Sequence, residues 1–273
     1  MIRKEVSPDL NCPGYPPVYV PPRVSNNPGA EVSFYLEHHK RNANGSQNLY
    51  TSKLACSLIG AFHKVASTKT GQVLGIDTSK PLIILCHGIH SWRNQLLIYH
   101  MASGLADKGF HTLRFDFEGH GHSNKENVGA DLKDKFSTST LQTIVKFVQS
   151  ELHCRIHCIV GHSIGANVTM KYVEELEMKY LQGDIETETT IRLFVNLCGN
   201  FNIFNIAFDT FMQSRLMTIH GDNDTIHLVE DAYKIDDIVH KHHMEILKGA
   251  NHNFNGLLHM NKMVSLIANF AEK

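Results

Sequence analysis

Gly161-His162-Ser163-Ile164-Gly165 follows an apolar run, Ile156 to Val160, and leads into a helix-spaced stretch, Ala166 to Leu181. A serine bracketed by glycines where a strand reverses into a helix can act as a nucleophile. The reversal displays the hydroxyl at the carboxyl edge of a sheet, and the helix N-terminus aims N–H groups and partial positive charge at the same spot. A serine hydroxyl is a weak nucleophile and needs a base. Among nineteen histidines, His252 is singled out by its turn, Gly249-Ala250-Asn251-His252-Asn253-Phe254, after the last strand-like run and before a closing amphipathic stretch. His220, His227, His242, His243 and His259 are its competitors. The base in turn needs a carboxylate to fix its tautomer and steady its imidazolium form. Asp224, in His220-Gly221-Asp222-Asn223-Asp224, is assigned that part. Asp222 is the rival, expected instead to accept backbone N–H groups as an Asx turn. Acyl transfer also requires donors for the oxyanion. The N–H groups of Ile164, directly after the nucleophile, and of Ile89, in His87-Gly88-Ile89-His90, are expected to supply them.

Other conspicuous residues read as structural. The turn from Arg114 to Ser123, with Asp116 and paired glycines, is expected to shape the floor of the site. His120 and His122 lack an obvious third ligand, so no metal is expected. His38-His39 and His242-His243 are expected at the surface, and Trp92 either in the core or along an acyl pocket. The six cysteines are scattered, and several lie in strand-like stretches, which suits reduced core thiols. Asn167 and Asn223 head glycosylation triplets inside the proposed catalytic helix and loop, where a glycan would obstruct chemistry.

The elements that must position these residues follow from hydrophobic spacing. Residues 1–30, rich in Pro, Asn and Gly, read as an extended arm, and 31–273 as a single domain. Val32–Leu36 and Leu54–Val65 suit opening antiparallel strands, with polar loops over Lys40–Ser52 and Ser67–Lys80. Thereafter strands (Leu82–Cys86, Thr112–Phe115, Ile156–Val160, Ile191–Leu197, Arg215–His220, Met244–Leu247) alternate with helices. One helix has Leu97, Met101 and Leu105 on one face. Another is capped by Ser137 or Ser139, with Leu141, Ile144, Val145, Val148 and Leu152 inward. A third places Leu228, Ala232, Ile235 and Val239 together, and the last Met260, Met263, Val264, Ile267, Phe270 and Ala271. This alternation predicts an α/β fold with a mostly parallel sheet and helices on both faces. A formal net charge of −1 gives no electrostatic reason to bind nucleic acid. No apolar run is long enough for a membrane span, no secretory signal is evident, and a cytoplasmic location is expected.

Taken in order, Leu85-Cys86-His87-Gly88, the run Arg114 to Ser123, Ile159-Val160-Gly161-His162-Ser163, Ile219 to Asp224 and Gly249-Ala250-x-His252 resemble the serine aminopeptidase-like and cinnamoyl (feruloyl) esterase-like branch of the α/β hydrolases. The order Ser163, Asp224, His252 is that of the fold. The resemblance implies an eight-stranded, mostly parallel sheet and hydrolysis of carboxylic esters through an acyl-enzyme, without cofactor. Many relatives carry a long lid before the acid strand, whereas here only Cys198 to Ser214 intervenes. Its Phe201, Phe204, Phe208 and Phe211 suggest a short helix, serving as a minimal cap or as core packing. The expected substrate is a small-molecule ester, acting at an open, shallow site. Thioester cleavage, or a non-catalytic binding module on the same fold, are the alternatives, and the sequence leaves the oligomeric state open.

Overall fold

The computed structural model describes residues 2–3, 30–41, 49–68, 71–123, 135–184, 191–202 and 204–272. Apart from Ile2, Arg3 and Ala30, the expected N-terminal arm lies outside these residues, as do Cys12 and Asn44. The described strands are β1 (Ile2–Arg3), β2 (Ala30–Arg41), β3 (Leu49–Gly60), β4 (Phe62–Thr68), β5 (Gly71–Ile76), β6 (Leu82–Cys86), β7 (His111–Phe115), β8 (Ile156–His162), β9 (Leu193–Leu197), β10 (Arg215–Gly221) and β11 (His242–Leu247). The described α-helices are α1 (Leu96–Asp107), α2 (Thr138–Ser150), α3 (Ile164–Leu181), α4 (Glu230–Ile238) and α5 (Leu257–Ala271). Eight of the strands make the main sheet, which is mostly parallel as expected, and the chain divides into two compact units, Met1–Ile156 and His157–Lys273.

In the first unit the main-sheet strands run in the order β6-β7-β3-β2. β6 and β7 are parallel, while β3 pairs antiparallel with both β7 and β2. Every residue of β6 and β7 is buried, which is why Leu82–Cys86 reads as an unbroken apolar run rather than an alternating one. The Leu97, Met101 and Leu105 stripe of α1 is buried, and Gln95 caps the helix by accepting the Leu97 N–H. Ser137 stands at the N-cap of α2, but its hydroxyl pairs with Ser139 at 2.7 Å rather than with a backbone N–H.

Three expectations need correction here. β2 and β3 extend into the segment expected as a loop from Lys40 to Ser52, pairing as far as Arg41 with Leu49. The second expected loop contains β5, which joins β1 and β4 in a separate three-stranded sheet. Its sequence, Gly-Gln-Val-Leu-Gly-Ile, has two glycines, residues depleted in strands. His38 is buried, not superficial, with its ring 2.8 Å from Thr143 Oγ1 and close to the carboxylate of Glu118. Side chains alternate across a strand, so adjacent His38 and His39 face opposite ways and only His39 is exposed.

The second unit carries β8-β9-β10-β11, all parallel. α5 buries all six residues of its expected face. α4 buries Ala232 and Ile235, whereas Leu228, expected on that face, precedes the helix and is exposed. His242 and His243 lie within β11 rather than before it, and the His242 ring is enclosed, 2.7 Å from Asp236 and 2.8 Å from Thr218. Among its described residues the phenylalanine-rich segment forms a 3-10 turn, Phe208–Thr210, and not the expected short helix. Phe208 and Phe211 are core residues, and Phe201 stacks on Phe208 with ring centroids 5.3 Å apart. The buried carboxylate of Glu177 accepts N–H bonds from Gln213 and Ser214, and Glu174 accepts one from Ala207. These bonds tie the segment to α3 and give its backbone the partners that helical turns would otherwise supply.

Candidate active site

β8 ends at His162, and α3 begins at Ile164, so Ser163 alone makes the reversal. Its φ of 55° and ψ of −125° are costly for a residue with a Cβ. The strain is held from outside: the Ser163 N–H donates to Leu197 O at 2.8 Å, and its carbonyl accepts the Ala166 N–H at 2.9 Å. Gly161 permits the reversal, because a Cβ there would lie 2.4 Å from Gly165 O and 2.5 Å from Ala166 Cα.

Ser163 Oγ–H donates to His252 Nε2 at 2.9 Å, and His252 Nδ1–H donates to Asp224 Oδ2 at 2.8 Å. The carboxylate can only accept, which assigns the His252 proton to Nδ1 and leaves the Nε2 lone pair for the serine. The turns carrying the acid and the histidine are pressed together: the Asn223 N–H donates to Ala250 O at 3.0 Å, and a Cβ on Gly221 would lie 2.2 Å from that oxygen. Asp222 is exposed and accepts a backbone N–H, as expected of it, but the donor is Gly249 of the neighbouring turn, at 2.6 Å, and not a residue of its own turn as an Asx turn would have.

Asp224 is saturated with donors. Oδ1 accepts the N–H groups of Ile226 at 2.8 Å and His227 at 3.0 Å, while Oδ2 takes His252 and lies 3.3 Å from His220 Nε2. Burial opposes its charge, but the bonds from His220, His252 and the two backbone N–H groups outweigh it and hold the carboxyl well below the usual carboxylate range. It therefore stays ionised beside the histidine.

Histidines that spacing alone did not place surround this core. His162, the variable residue of the motif, donates from Nε2 to His252 O at 2.8 Å, and burial pushes its pKa down to about 3. His227 donates from Nδ1 to Cys198 O at 2.7 Å and sets its ring nearly perpendicular to His252, centroids 4.9 Å apart. Burial lowers its pKa, and neighbouring His252 acts in the same direction. His220 donates from Nε2 to His227 O at 2.9 Å. Of the rivals for the base, His220 and His227 thus support His252, His242 and His243 lie in β11, and His259 bonds Lys248 O from α5. Cys198, His220 and Asp224 offer ligand atoms within 4.8 Å of one another. With the Asp224 oxygens already taken by N–H donors, the trio is better described as a hydrogen-bonded cluster than as a cation site.

Ile164 begins α3, where first-turn N–H groups lack intrahelical acceptors. Ile89 lies in the turn after β6, in the first unit. Its loop is anchored at its far end: the Arg93 N–H donates to Asp116 Oδ1 at 2.6 Å, the Arg93 guanidinium pairs with the same carboxylate, and Asn94 Oδ1 accepts from Arg114. The His122 N–H also reaches Asp116, at 2.9 Å, so this carboxylate ties the turn after β7 to the loop after β6. Trp92 is fully buried, which favours core packing.

In comparisons with known proteins, residues 77–186 match the family model described as Serine aminopeptidase, S33. No curated protein matches the chain in sequence. Among solved structures, an esterase from Pyrococcus furiosus aligns over 95% of this chain and 98% of its own at 16% identity, with a TM-score of 0.61. The esterase Est1E from Butyrivibrio proteoclasticus, solved with ferulic acid bound, aligns over 80% and 94% at 17% identity, TM-score 0.58. The chain has the α/β-hydrolase fold. A further α/β hydrolase, from Xanthomonas campestris and described as a serine hydrolase without lid, covers 93% of this chain and 97% of its own at 13% identity, TM-score 0.60. The serine aminopeptidase-like branch indicated by the motifs is the one whose family model matches. Among the described residues, no helix is long and apolar enough to cross a membrane.

Proposed function

We propose that the chain is a serine hydrolase of carboxylic esters working through an acyl-enzyme. The carrying observation is the unbroken relay from Ser163 Oγ through His252 to Asp224 on a strained strand-to-helix turn. Ser163 Oγ attacks the ester carbonyl carbon while His252 Nε2 takes its proton. The N–H group of Ile164 holds the oxyanion with the help of the α3 dipole. Collapse breaks the C–O bond, and His252 returns the proton to the departing alcohol. Water then attacks the acyl-serine, with His252 again as base, and the acid leaves. Asp224 remains ionised throughout and orients the ring.

The short Cys198–Ser214 segment, strapped to α3 rather than raised as a lid, supports small, accessible esters as substrates. The described cysteines, Cys56, Cys86, Cys154, Cys158 and Cys198, are free and buried, which supports a reducing, cytoplasmic setting. Burial raises the thiol pKa of Cys154 to about 11 and lifts those of Cys56, Cys158 and Cys198, leaving them poor nucleophiles.

The test is turnover of p-nitrophenyl butyrate with mass analysis of quenched protein. The reading expects a burst of p-nitrophenol and a butyryl adduct on the peptide containing Ser163. Steady turnover that survives Ser163→Ala, without an adduct, would sink it.

A further inference from the structure

A cavity of about 270 Å³ opens at the amino-terminal edge of β10 and β11, lined by Arg215, Leu216, Lys241, His242, His243 and Phe270. It is remote from the serine. Cys158, Leu193 and Arg215 are register partners across β8, β9 and β10, and Ser163, just past the end of β8, lies five residues beyond Cys158. That is roughly 16 Å along the strand direction at the usual rise per residue.

The cavity lining carries two cations, Arg215 and Lys241, and no carboxylate. The lining histidines each donate to a carboxylate outside the lining, His242 Nδ1 to Asp236 at 2.7 Å and His243 Nε2 to Glu245 at 3.0 Å. The other His242 ring nitrogen faces Thr218 Oγ1 at 2.8 Å, so His242 is wall rather than ligand. Among the described residues, neither the Arg215 guanidinium nor the Lys241 ammonium has a carboxylate in ion-pair reach. Arg215 lies over the Phe270 ring, 5.4 Å from its centroid. A contact of this kind uses no N–H donor, so the guanidinium edge keeps the donors that grip a carboxylate in a fork. Beneath these cations the lining is apolar, from buried Leu216 and Phe270.

We propose that this cavity binds a small organic carboxylate with an apolar or aromatic body, Arg215 and Lys241 taking the carboxylate and Leu216 and Phe270 the body. A bare inorganic anion would use the cations but leave the apolar floor uncovered. A volume slightly below the range of drug-sized pockets suits a ligand of benzoate or short fatty-acid size. The acids released by ester cleavage belong to this class. That link rests on the proposed function, whereas binding itself does not.

The experiment is calorimetric titration of the full chain with benzoate at low salt, with inorganic phosphate as comparison, on wild type, Lys241→Gln and Arg215→Gln. Lys241 is exposed, so its replacement leaves the fold intact and keeps the test decisive even if Arg215→Gln is unstable. Expected are saturable benzoate binding to wild type, about tenfold weaker binding in each variant, and weaker binding of phosphate than of benzoate. Absence of benzoate binding, equal affinity in wild type and Lys241→Gln, or phosphate binding as tightly as benzoate would each overturn the proposal.

Discussion

Asp222 and Asp224 sit two residues apart in one turn, yet only Asp224 reaches His252, with Oδ2 2.8 Å from Nδ1, while Asp222 takes the Gly249 N–H at 2.6 Å. This division separates their substitutions. Asp224→Asn puts an amide where the histidine needs an anion and should lower kcat by about 10³ to 10⁴-fold, as loss of the acid does in such triads. Asp222→Asn retains an acceptor oxygen and should stay within a few-fold of wild type. Steady-state kinetics of the two variants settle the assignment, and the reverse ranking would refute it.

Gly161 touches the first turn of α3 so closely that any Cβ meets backbone atoms rather than a movable side chain. Gly161→Ala should therefore disturb the turn itself, losing both ester turnover and about 1–3 kcal/mol of stability to overpacking. Urea unfolding and turnover measured together check this; a fully active, fully stable variant would show that the turn yields easily.

Acid should destabilise the fold through its buried neutral histidines. Burial lowers the pKa of His162 to about 3 and that of His87 to about 4. Between about pH 4 and 6 the unfolded chain, whose histidines titrate near 6.5, binds more protons than the folded one. Stability therefore rises with pH across that window. His162→Gln keeps an N–H donor toward His252 O and removes one titrating group. Its stability–pH curve should be shallower than wild type by about 1.4 kcal/mol per pH unit. Parallel curves would mean that His162 is protonated in the folded state.

Glu177 is buried and serves the Gln213 and Ser214 N–H groups. Glu177→Ala leaves those donors without their acceptor and should cost about 1–3 kcal/mol in urea unfolding. The effect should be confined to the fold, with KM for a short ester changing less than kcat does in Asp224→Asn.

Much of this molecule was readable from residue order, for identifiable reasons. The elbow was legible because a strand, a glycine-bracketed serine and a helix must occur in that sequence for the turn to close, and Gly161 shows the contact that enforces it. His252 and Asp224 were legible because each follows a strand of the same parallel set, and carboxyl ends of parallel strands share one edge. The support around them was not. His220 and His227 read only as rivals for the base, since spacing cannot reveal that one bonds a backbone carbonyl and the other stands edge-on to His252. His38 looked superficial because a polar pair in a strand gives no hint which member turns inward. The Phe201–Phe211 spacing suggested a helix, but Glu174 and Glu177 hold that backbone from α3, a tertiary contact that overrides local periodicity.

The central claim is that Ser163 is an activated nucleophile, and fluorophosphonate labelling tests it most directly. Wild type, Ser163→Ala and Asp224→Asn would be labelled side by side at pH 7.5, with the adduct located by peptide mass analysis. The account predicts rapid labelling of wild type on Ser163, none at that position in Ser163→Ala, and strongly slowed labelling in Asp224→Asn. A folded wild type that stays unlabelled, or carries the phosphonate on another residue, would contradict it.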